Sequence, residues 1–160
     1  MRWFRFAVLV LLATVLQASF FADLNIKPDL LLILLVFFAI YCNTSDAIIT
    51  SFTIGFAADL IGRTMGPQMI GFGLFGTALA YLHQVIAIRK MPYQALAIFI
   101  TALLAGSMVY FLNFLKGEPT PQNMFAALLG IALYSALVGP FLFLPSAWWM
   151  RIKINRLKPR

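Results

Sequence analysis

The sequence predicts an all-α integral membrane protein, and three observations lead to that fold class. Of its 160 residues, 62% are hydrophobic and only 11% are charged, whereas a soluble domain carries roughly 25% charged residues. The apolar residues form long runs separated by short polar breaks, and no strand is evident. About 20 apolar residues cross a membrane as a helix, so six crossings leave only short connections. We therefore predict six transmembrane helices in a single polytopic membrane domain, residues 1–160.

The first two predicted helices differ in length. The apolar run Phe6 to Phe21 follows two arginines but lacks a small-residue cleavage pattern, which indicates an uncleaved first helix. The second begins near Pro28, which has no N–H to lose there, and Asp29 in its first turn complements the helix dipole. Its apolar run, Leu30 to Tyr41, would extend for only roughly 18 Å, which is short against a hydrocarbon layer of about 30 Å.

Helix three, about Ala47 to Ile61, ends in the most distinctive stretch, G-F-A-A-D-L-I-G-R-T-M-G, residues 55–66. Asp59 and Arg63 stand four apart and share a helix face, where they can pair. An acidic residue within an apolar segment suggests, as a hypothesis, a functional site. We favour a structural clamp that closes helix three onto the glycine turn before helix four, with a direct chemical role as the alternative. The small residues near this face are Gly55, Gly62 and Gly66.

Helices two and three are short enough to allow two arrangements. They either cross the membrane as two tilted helices or form a re-entrant hairpin, and both leave the later helices in the same orientation. Lipid cannot satisfy the backbone of a turn, so a re-entrant hairpin must be covered by protein. Whether protein buries helix two is therefore the observation that bears on the choice between the two arrangements.

Small residues recur on one face of helix four, about Met69 to Ile88. Their spacings alternate between four and three, which is typical of close helix packing. His83 lies on that face near Arg89, where we interpret it as an interfacial histidine with a local hydrogen-bond partner. The residues of this face are Met69, Gly73, Gly76, Ala80, His83 and Ala87.

Helix five is expected over Tyr93 to Leu115. Thr120 can cap helix six, with Pro121 at its first position. Inside helix six, Pro140 and Pro145 predict a kink or a short break near its end.

The distribution of Lys and Arg predicts the orientation. With a cytoplasmic N-terminus and six crossings, nine of these residues lie inside and three lie outside, namely Lys27, Arg63 and Lys116. Because cytoplasmic loops carry the excess of Lys and Arg, both termini are expected in the cytoplasm.

We expect no enzyme activity, no cofactor and no metal. One cysteine, one histidine and five acids leave no metal-ligand cluster. Ser51, Asp59 and His83 could be written as a triad, but such residue types occur together in most chains. The net charge of +7 is split among loops and chain ends, which favours contacts with lipid headgroups over nucleic acid.

Two stretches resemble the rod shape-determining protein MreD family of bacterial inner membranes. They are K-P-D-L-L-L-I-L-L, residues 27–35, and the stretch 55–66 with the glycine-bearing helix that follows. The length near 160, the minimal loops and the short basic tail agree with the family. Its most specific part here is Asp59 with Leu60 and the glycine that follows.

The resemblance implies a non-enzymatic, multi-pass scaffold subunit of the cell-elongation machinery. It implies an MreC-like periplasmic protein, a peptidoglycan synthase pair and the MreB filament as partners, within the lipid bilayer of the inner membrane. The small-residue faces would suit docking of a partner's transmembrane helix, because close packing replaces the hydrophobic force in lipid.

Two other functions stay open. One is the substrate-binding subunit of a vitamin-type transporter, although the alanines of helix one lack the spacing of four that would dock it on a transport motor. Its pocket would need converging polar groups, for which the candidates are Gln17, Asp59, Arg63 and Asn113. The other is a lipid-handling component, with which an acid and base pair near the outer surface is compatible.

Overall fold

The structure is a computed structural model that describes residues 3–20, 23, 26, 28–62, 65–86 and 90–151. Within those residues the chain forms six α-helices and no strand, so the predicted all-α class is confirmed. The helices are α1 (Trp3–Ser19), α2 (Leu30–Tyr41), α3 (Thr44–Ile61), α4 (Pro67–Val85), α5 (Met91–Leu115) and α6 (Met124–Met150).

The short helix α2 occupies the centre of the bundle. It packs against all five other helices, and every residue from Leu31 to Ile40 is buried. A helix that is apolar all round its circumference needs protein or lipid on every side. Here the protein supplies that cover, because the run L-L-L-I-L-L-V-F-F-A-I-Y has no polar face to turn toward water.

The enclosure of α2 bears on the choice between a tilted crossing and a hairpin. Only two residues, Cys42 and Asn43, join α2 to α3, so the two helices form a tight hairpin. Surrounding protein is the condition that an incomplete crossing must meet. By length and composition, α3, α5 and α6 are able to cross a membrane, while α1 and α2 are shorter apolar helices.

The start of α3 differs from the sequence prediction. The helix begins at Thr44, three residues before the predicted Ala47, with the extended residue Asn43 at its N-cap. Asp46 lies in the first turn, where a carboxylate interacts favourably with the positive end of the helix dipole. The polar residues 44–46, which the prediction left outside helix three, therefore form the first turn of α3.

Helix α6 differs from the sequence prediction at its start, and it has no break near its end. It begins at Met124, after the N-cap Asn123, and not at Pro121. Residues 121–123 are exposed, and helical stability comes mostly from packing, so nothing offsets the cost of extending the helix there. Of the predicted kink or short break, the break is not observed, since α6 continues through Pro140 and Pro145; the kink stays a prediction. Neighbouring helices allow a membrane helix to tolerate such prolines.

Aromatic rings hold α1 and α6 against the end of α2. The ring of Phe6 on α1 lies 5.0 Å from that of Phe38, edge to face. The ring of Phe143 on α6 lies 5.4 Å from that of Phe37. Edge-to-face aromatic pairs are favourable beyond the area that they bury. Both outer helices are therefore anchored to the central one near Tyr41.

Candidate functional site

Asp59 is buried between α3 and α4, with only 3% of its surface exposed. Its carboxylate accepts three backbone hydrogen bonds from the start of α4. The N–H groups of Gly66 and Met69 donate to Oδ2 at 2.9 and 3.0 Å. The N–H group of Gln68 donates to Oδ1 at 3.0 Å. The acid thus caps a helix other than its own.

The residues at the start of α4 explain why it needs an outside acceptor. The first N–H groups of a helix have no partner within it, and the side chain of the N-cap residue usually accepts one of them. Here the N-cap is Gly66, which has no side chain, and Pro67 follows without an N–H. The carboxylate of Asp59 caps the helix instead, although Asp59 precedes the donor residues by seven to ten positions in the chain.

The backbone of Gly66 aims the start of α4 at this carboxylate. Its φ of 110° lies in a region that residues with a Cβ atom rarely adopt. The turn directs the Gly66 N–H toward Oδ2, together with that of Met69. A negative group at this point also complements the positive end of the α4 dipole. Asp59 and Gly66 therefore act as one unit.

Glycines allow α3 and α4 to come this close. A Cβ atom on Gly55 would lie 2.7 Å from the Cα of Met69 and 2.9 Å from the carbonyl oxygen of Gln68. Further along, Cβ atoms on Gly73 and Gly76 would overlap the side chains of α3 that face them, Phe52 and Ser51. Gly73 and Gly76 of the predicted small-residue face of α4 therefore pack against α3, whereas Met69 is exposed and Ala87 lies outside the described residues.

The remaining predicted site residues have different positions. Gly62 is the C-cap of α3, and its N–H donates to the carbonyl oxygens of Ala58 and Asp59, each at 3.1 Å. A Cβ atom on Gly62 would meet its nearest neighbour at an ordinary 3.4 Å, so close approach does not require this glycine. Arg63 lies outside the described residues, and so does its predicted pairing with Asp59.

A second set of polar contacts lies where α2 begins. Asp29 is the N-cap of α2, one position before the first turn in which it was predicted, and its Oδ1 accepts from the N–H of Leu32 at 3.1 Å. Gln17 of α1 donates to the same oxygen at 3.3 Å and accepts from Leu31 N–H at 3.2 Å. Ser135 of α6 accepts the N–H of Asp29 at 2.9 Å.

This second cluster ties α1, α2 and α6 together directly after the buried residue Pro28. The sequence placed Asp29 at a helix start and offered Gln17 as a candidate for a transporter pocket, so it did not bring the two together. What would have predicted this cluster is that α2 begins inside the bundle and not at its surface. A helix that begins inside a bundle must find acceptors for its first N–H groups among neighbouring side chains.

A polar pocket of about 250 Å³ lies beside the Asp59 junction. Its wall includes Gln68 of α4, Asn113 of α5 and the connection 118–121. Lys116 donates to the carbonyl oxygen of Met65 close by. The volume is below the roughly 300 to 1,000 Å³ usual for ligand pockets. Of the candidates for a transporter pocket, Asn113 lines this pocket, Gln17 belongs to the other cluster, and Arg63 lies outside the described residues.

The described residues do not assemble the triad considered above. Ser51 donates to the carbonyl oxygen of Ala47 at 2.7 Å, and it lies eight positions, roughly 12 Å along α3, from Asp59. His83 is sixteen positions after Pro67, so it lies roughly 24 Å along α4 from the capped end. No group of three His, Cys, Asp or Glu side chains among these residues could hold a metal ion.

The thiol of Cys42, in the turn between α2 and α3, is also poorly suited to nucleophilic chemistry. Burial, reinforced by the negative charge of Asp46, raises its pKa to about 11 from the usual 9.0. Only the thiolate is a good nucleophile, so this group is almost entirely unreactive at neutral pH.

Comparison with known families supplies the remaining information. A family model described as rod shape-determining protein MreD matches residues 1–150. No curated protein and no solved structure matches the chain. The matched region contains all six helices, including the central α2, Asp59 and the glycine turn. The chain therefore belongs to the rod shape-determining protein MreD family.

Proposed function

We propose that this protein is a non-enzymatic scaffold subunit of the cell-elongation machinery in the bacterial inner membrane. The family match over residues 1–150 carries the proposal, because it supports a role in rod shape determination. The structure contributes a physical reason: the polar side chains of Asp59, Asp29 and Gln17 cap helices. Groups used in this way hold a scaffold together.

The proposed partners follow from membership of the family. They are an MreC-like periplasmic protein, the peptidoglycan synthase pair of the side wall and the MreB filament. We infer that the bundle holds the transmembrane helix of a partner and so positions the part of that partner outside the membrane. In lipid, such docking depends on close packing and on hydrogen bonds between helices.

The closely packed glycines face other helices of the same chain and not a partner. Gly55, Gly73 and Gly76 face α3 or α4 of the same chain, and Gly139 faces Ile98 of α5. These positions are occupied within the bundle. We infer that the glycines build the scaffold, and that a partner helix docks on the larger apolar side chains of the outer surface.

The proposed arrangement in the membrane has six crossings and both termini in the cytoplasm. Support comes from the nine Lys and Arg residues that this orientation assigns to the inner side, against three on the outer side. In this arrangement α2 is a short crossing, and protein on all sides compensates for its length.

Purification together with a partner tests the docking proposal. The full chain and an MreC-like protein with its single transmembrane helix are produced together and extracted in mild detergent. We expect the partner to be retained through affinity purification and gel filtration. A partner whose helix is replaced by an unrelated transmembrane helix is the control and should be lost. Failure of the native partner to remain with the folded chain would contradict the docking proposal.

A further inference from the structure

An apolar groove of about 310 Å³ runs between α1 and α6, and α2 forms its floor. Its walls are formed mainly by Leu9, Leu12 and Leu16 of α1, Ile33 of α2, and Leu142 and Trp149 of α6. Ser146 is the main polar residue of this lining, and it is buried. The groove gives access from the side of the bundle to the otherwise enclosed central helix.

Hydrogen bonds join α1 to its neighbours at its two ends. At one end, Arg5 Nη1 donates to the carbonyl oxygen of Trp149, and Trp149 Nε1 donates to that of Arg5, both at 3.2 Å. At the other end, Gln17 and Ser135 both bond to Asp29. Between these ends α1 buries only one side of itself, at Val10 and Ala13.

The end of the groove near Arg5 has the character of a membrane interface. Trp148 and Trp149 line the groove there, and tryptophan is enriched at the level of lipid headgroups. Arg151 follows directly and is exposed. Arg5 and Arg151 both carry a permanent positive charge. One end of the apolar groove therefore lies beside Arg5, which bonds to the lining residue Trp149, and close in sequence to Arg151.

The chemistry of the groove distinguishes a phospholipid from a partner helix. Leu9 and Leu16 are seven residues apart, so the groove follows α1 for roughly 10 Å. Its lining is almost entirely apolar, which suits a hydrocarbon chain. Arg5 and Arg151 at one end complement a negative headgroup, which an apolar helix face does not supply.

We propose that this groove binds an anionic phospholipid, with one acyl chain between α1 and α6 and its phosphate beside Arg5 and Arg151. The apolar walls take up the chain, and the two arginines select a negative headgroup over a zwitterionic one. The lipid fills the gap between the joined ends of α1 and thereby stabilises α1 on the bundle. This lipid site is independent of the partner docking proposed above.

Lipid titration of the purified full chain tests the headgroup preference. Native mass spectrometry and thermal unfolding in detergent are followed with phosphatidylglycerol and, separately, with phosphatidylethanolamine of the same acyl chains. We expect tighter binding of phosphatidylglycerol, by about fivefold for each arginine. Arg5→Gln and Arg151→Asn should each reduce the preference by that factor, and Asn tolerates the left-handed backbone of residue 151. Equal binding of both lipids, or an unchanged preference in Arg151→Asn, would overturn the proposal.

A groove-filling variant tests the acyl chain. Leu12 is half exposed at the groove wall, so Leu12→Trp should obstruct the channel and reduce the binding of both lipids. Leu137→Trp is the matched control, because Leu137 is 69% exposed on α6 and does not line the groove. If Leu12→Trp binds both lipids normally but loses a partner with a single transmembrane helix, the groove is a helix site and the lipid proposal is wrong.

Discussion

At the scale of single residues, the structure gives Asp59 a defined task. The acid receives three backbone hydrogen bonds from the start of the next helix, and hydrogen bonds to charged groups contribute about 1.5 to 3 kcal/mol each. The sequence suggested either a structural clamp or a chemical role, with Arg63 as partner. The observed partners are backbone N–H groups on α4, which a helical wheel of α3 does not show.

Substitution of Asp59 should follow a ranked order of stability. Asp59→Asn keeps one acceptor oxygen, for Gly66 and Met69, but turns an N–H₂ group toward the N–H of Gln68. Asp59→Ala leaves all three donors without an acceptor and should lower the free energy of unfolding by about 3 kcal/mol or more, with Asn in between. Thermal unfolding in detergent measures the order.

The exposed acid Glu118 provides the control for this series. Glu118→Ala should leave the unfolding temperature nearly unchanged, because surface substitutions usually stay within about 0.5 kcal/mol. An Asp59→Ala variant as stable as the Glu118→Ala variant would show that the cap contributes nothing to the fold.

The reactivity of Cys42 provides a prediction about pH. Burial and Asp46 raise the pKa of the thiol to about 11, so at pH 8 the thiolate fraction is about 100-fold below that of an exposed cysteine near 9. Alkylation should be correspondingly slow, and its rate should keep rising about tenfold per pH unit beyond pH 9. Mass spectrometry over time measures the rate, with Glu118→Cys in a Cys42→Ala chain as the exposed control. A rate that levels off near pH 9 contradicts the raised pKa.

At the scale of helices, packing decides what each apolar segment does. The sequence identified α2 as short, and the structure explains why it can be short: it is surrounded by the other five helices. Of the small-residue face predicted on α4, Gly73 and Gly76 contact α3. The spacing on α4 alone does not say whether such a face serves an internal neighbour or a partner.

A pair of glycine substitutions tests the contact between α3 and α4. Gly55→Ala places a methyl group 2.7 Å from the Cα of Met69, so the backbones must separate, at a cost of about 1 to 3 kcal/mol. Gly62→Ala meets only ordinary contacts and should be neutral. Thermal unfolding of the two variants provides the comparison. Equal stability would mean that α3 and α4 do not depend on close approach at Gly55.

At the scale of the whole molecule, the other five helices pack around α2. Two of its clusters of polar contacts lie at helix starts, one at the start of α2 with Asp29 and one at the start of α4 with Asp59. The described connections are short, so most of the described residues lie in helices. A bundle of this shape exposes the outer faces of its helices.

Reporter fusions test the proposed orientation of the whole chain. A fluorescent protein that matures only in the cytoplasm should fluoresce when it is joined after Arg160. Alkaline phosphatase, which is active only outside the cytoplasm, should be active when it is inserted near Glu118 between α5 and α6. The reciprocal fusions, phosphatase after Arg160 and fluorescent protein near Glu118, are the controls and should be silent. The reverse pattern would contradict the cytoplasmic termini.

The sequence by itself determined the helical membrane class, the approximate extent of the helices and the family. These properties are local or additive: apolar composition, run length and helical spacing can be read along the chain. Helix ends were predicted less accurately: α3 begins at Thr44 and α6 at Met124, each three residues from the predicted start. Packing against neighbours decides whether a terminal helical turn is stable.

Only the tertiary structure decided the central position of α2, the cluster of Gln17, Asp29 and Ser135, and the capping role of Asp59. Each depends on which helices become neighbours. The partners of a buried polar group are set by the requirement that every buried donor and acceptor be satisfied. That requirement acts in three dimensions, across the turn at Gly66 and the close contact at Gly55, and the linear spacing of residues does not contain it.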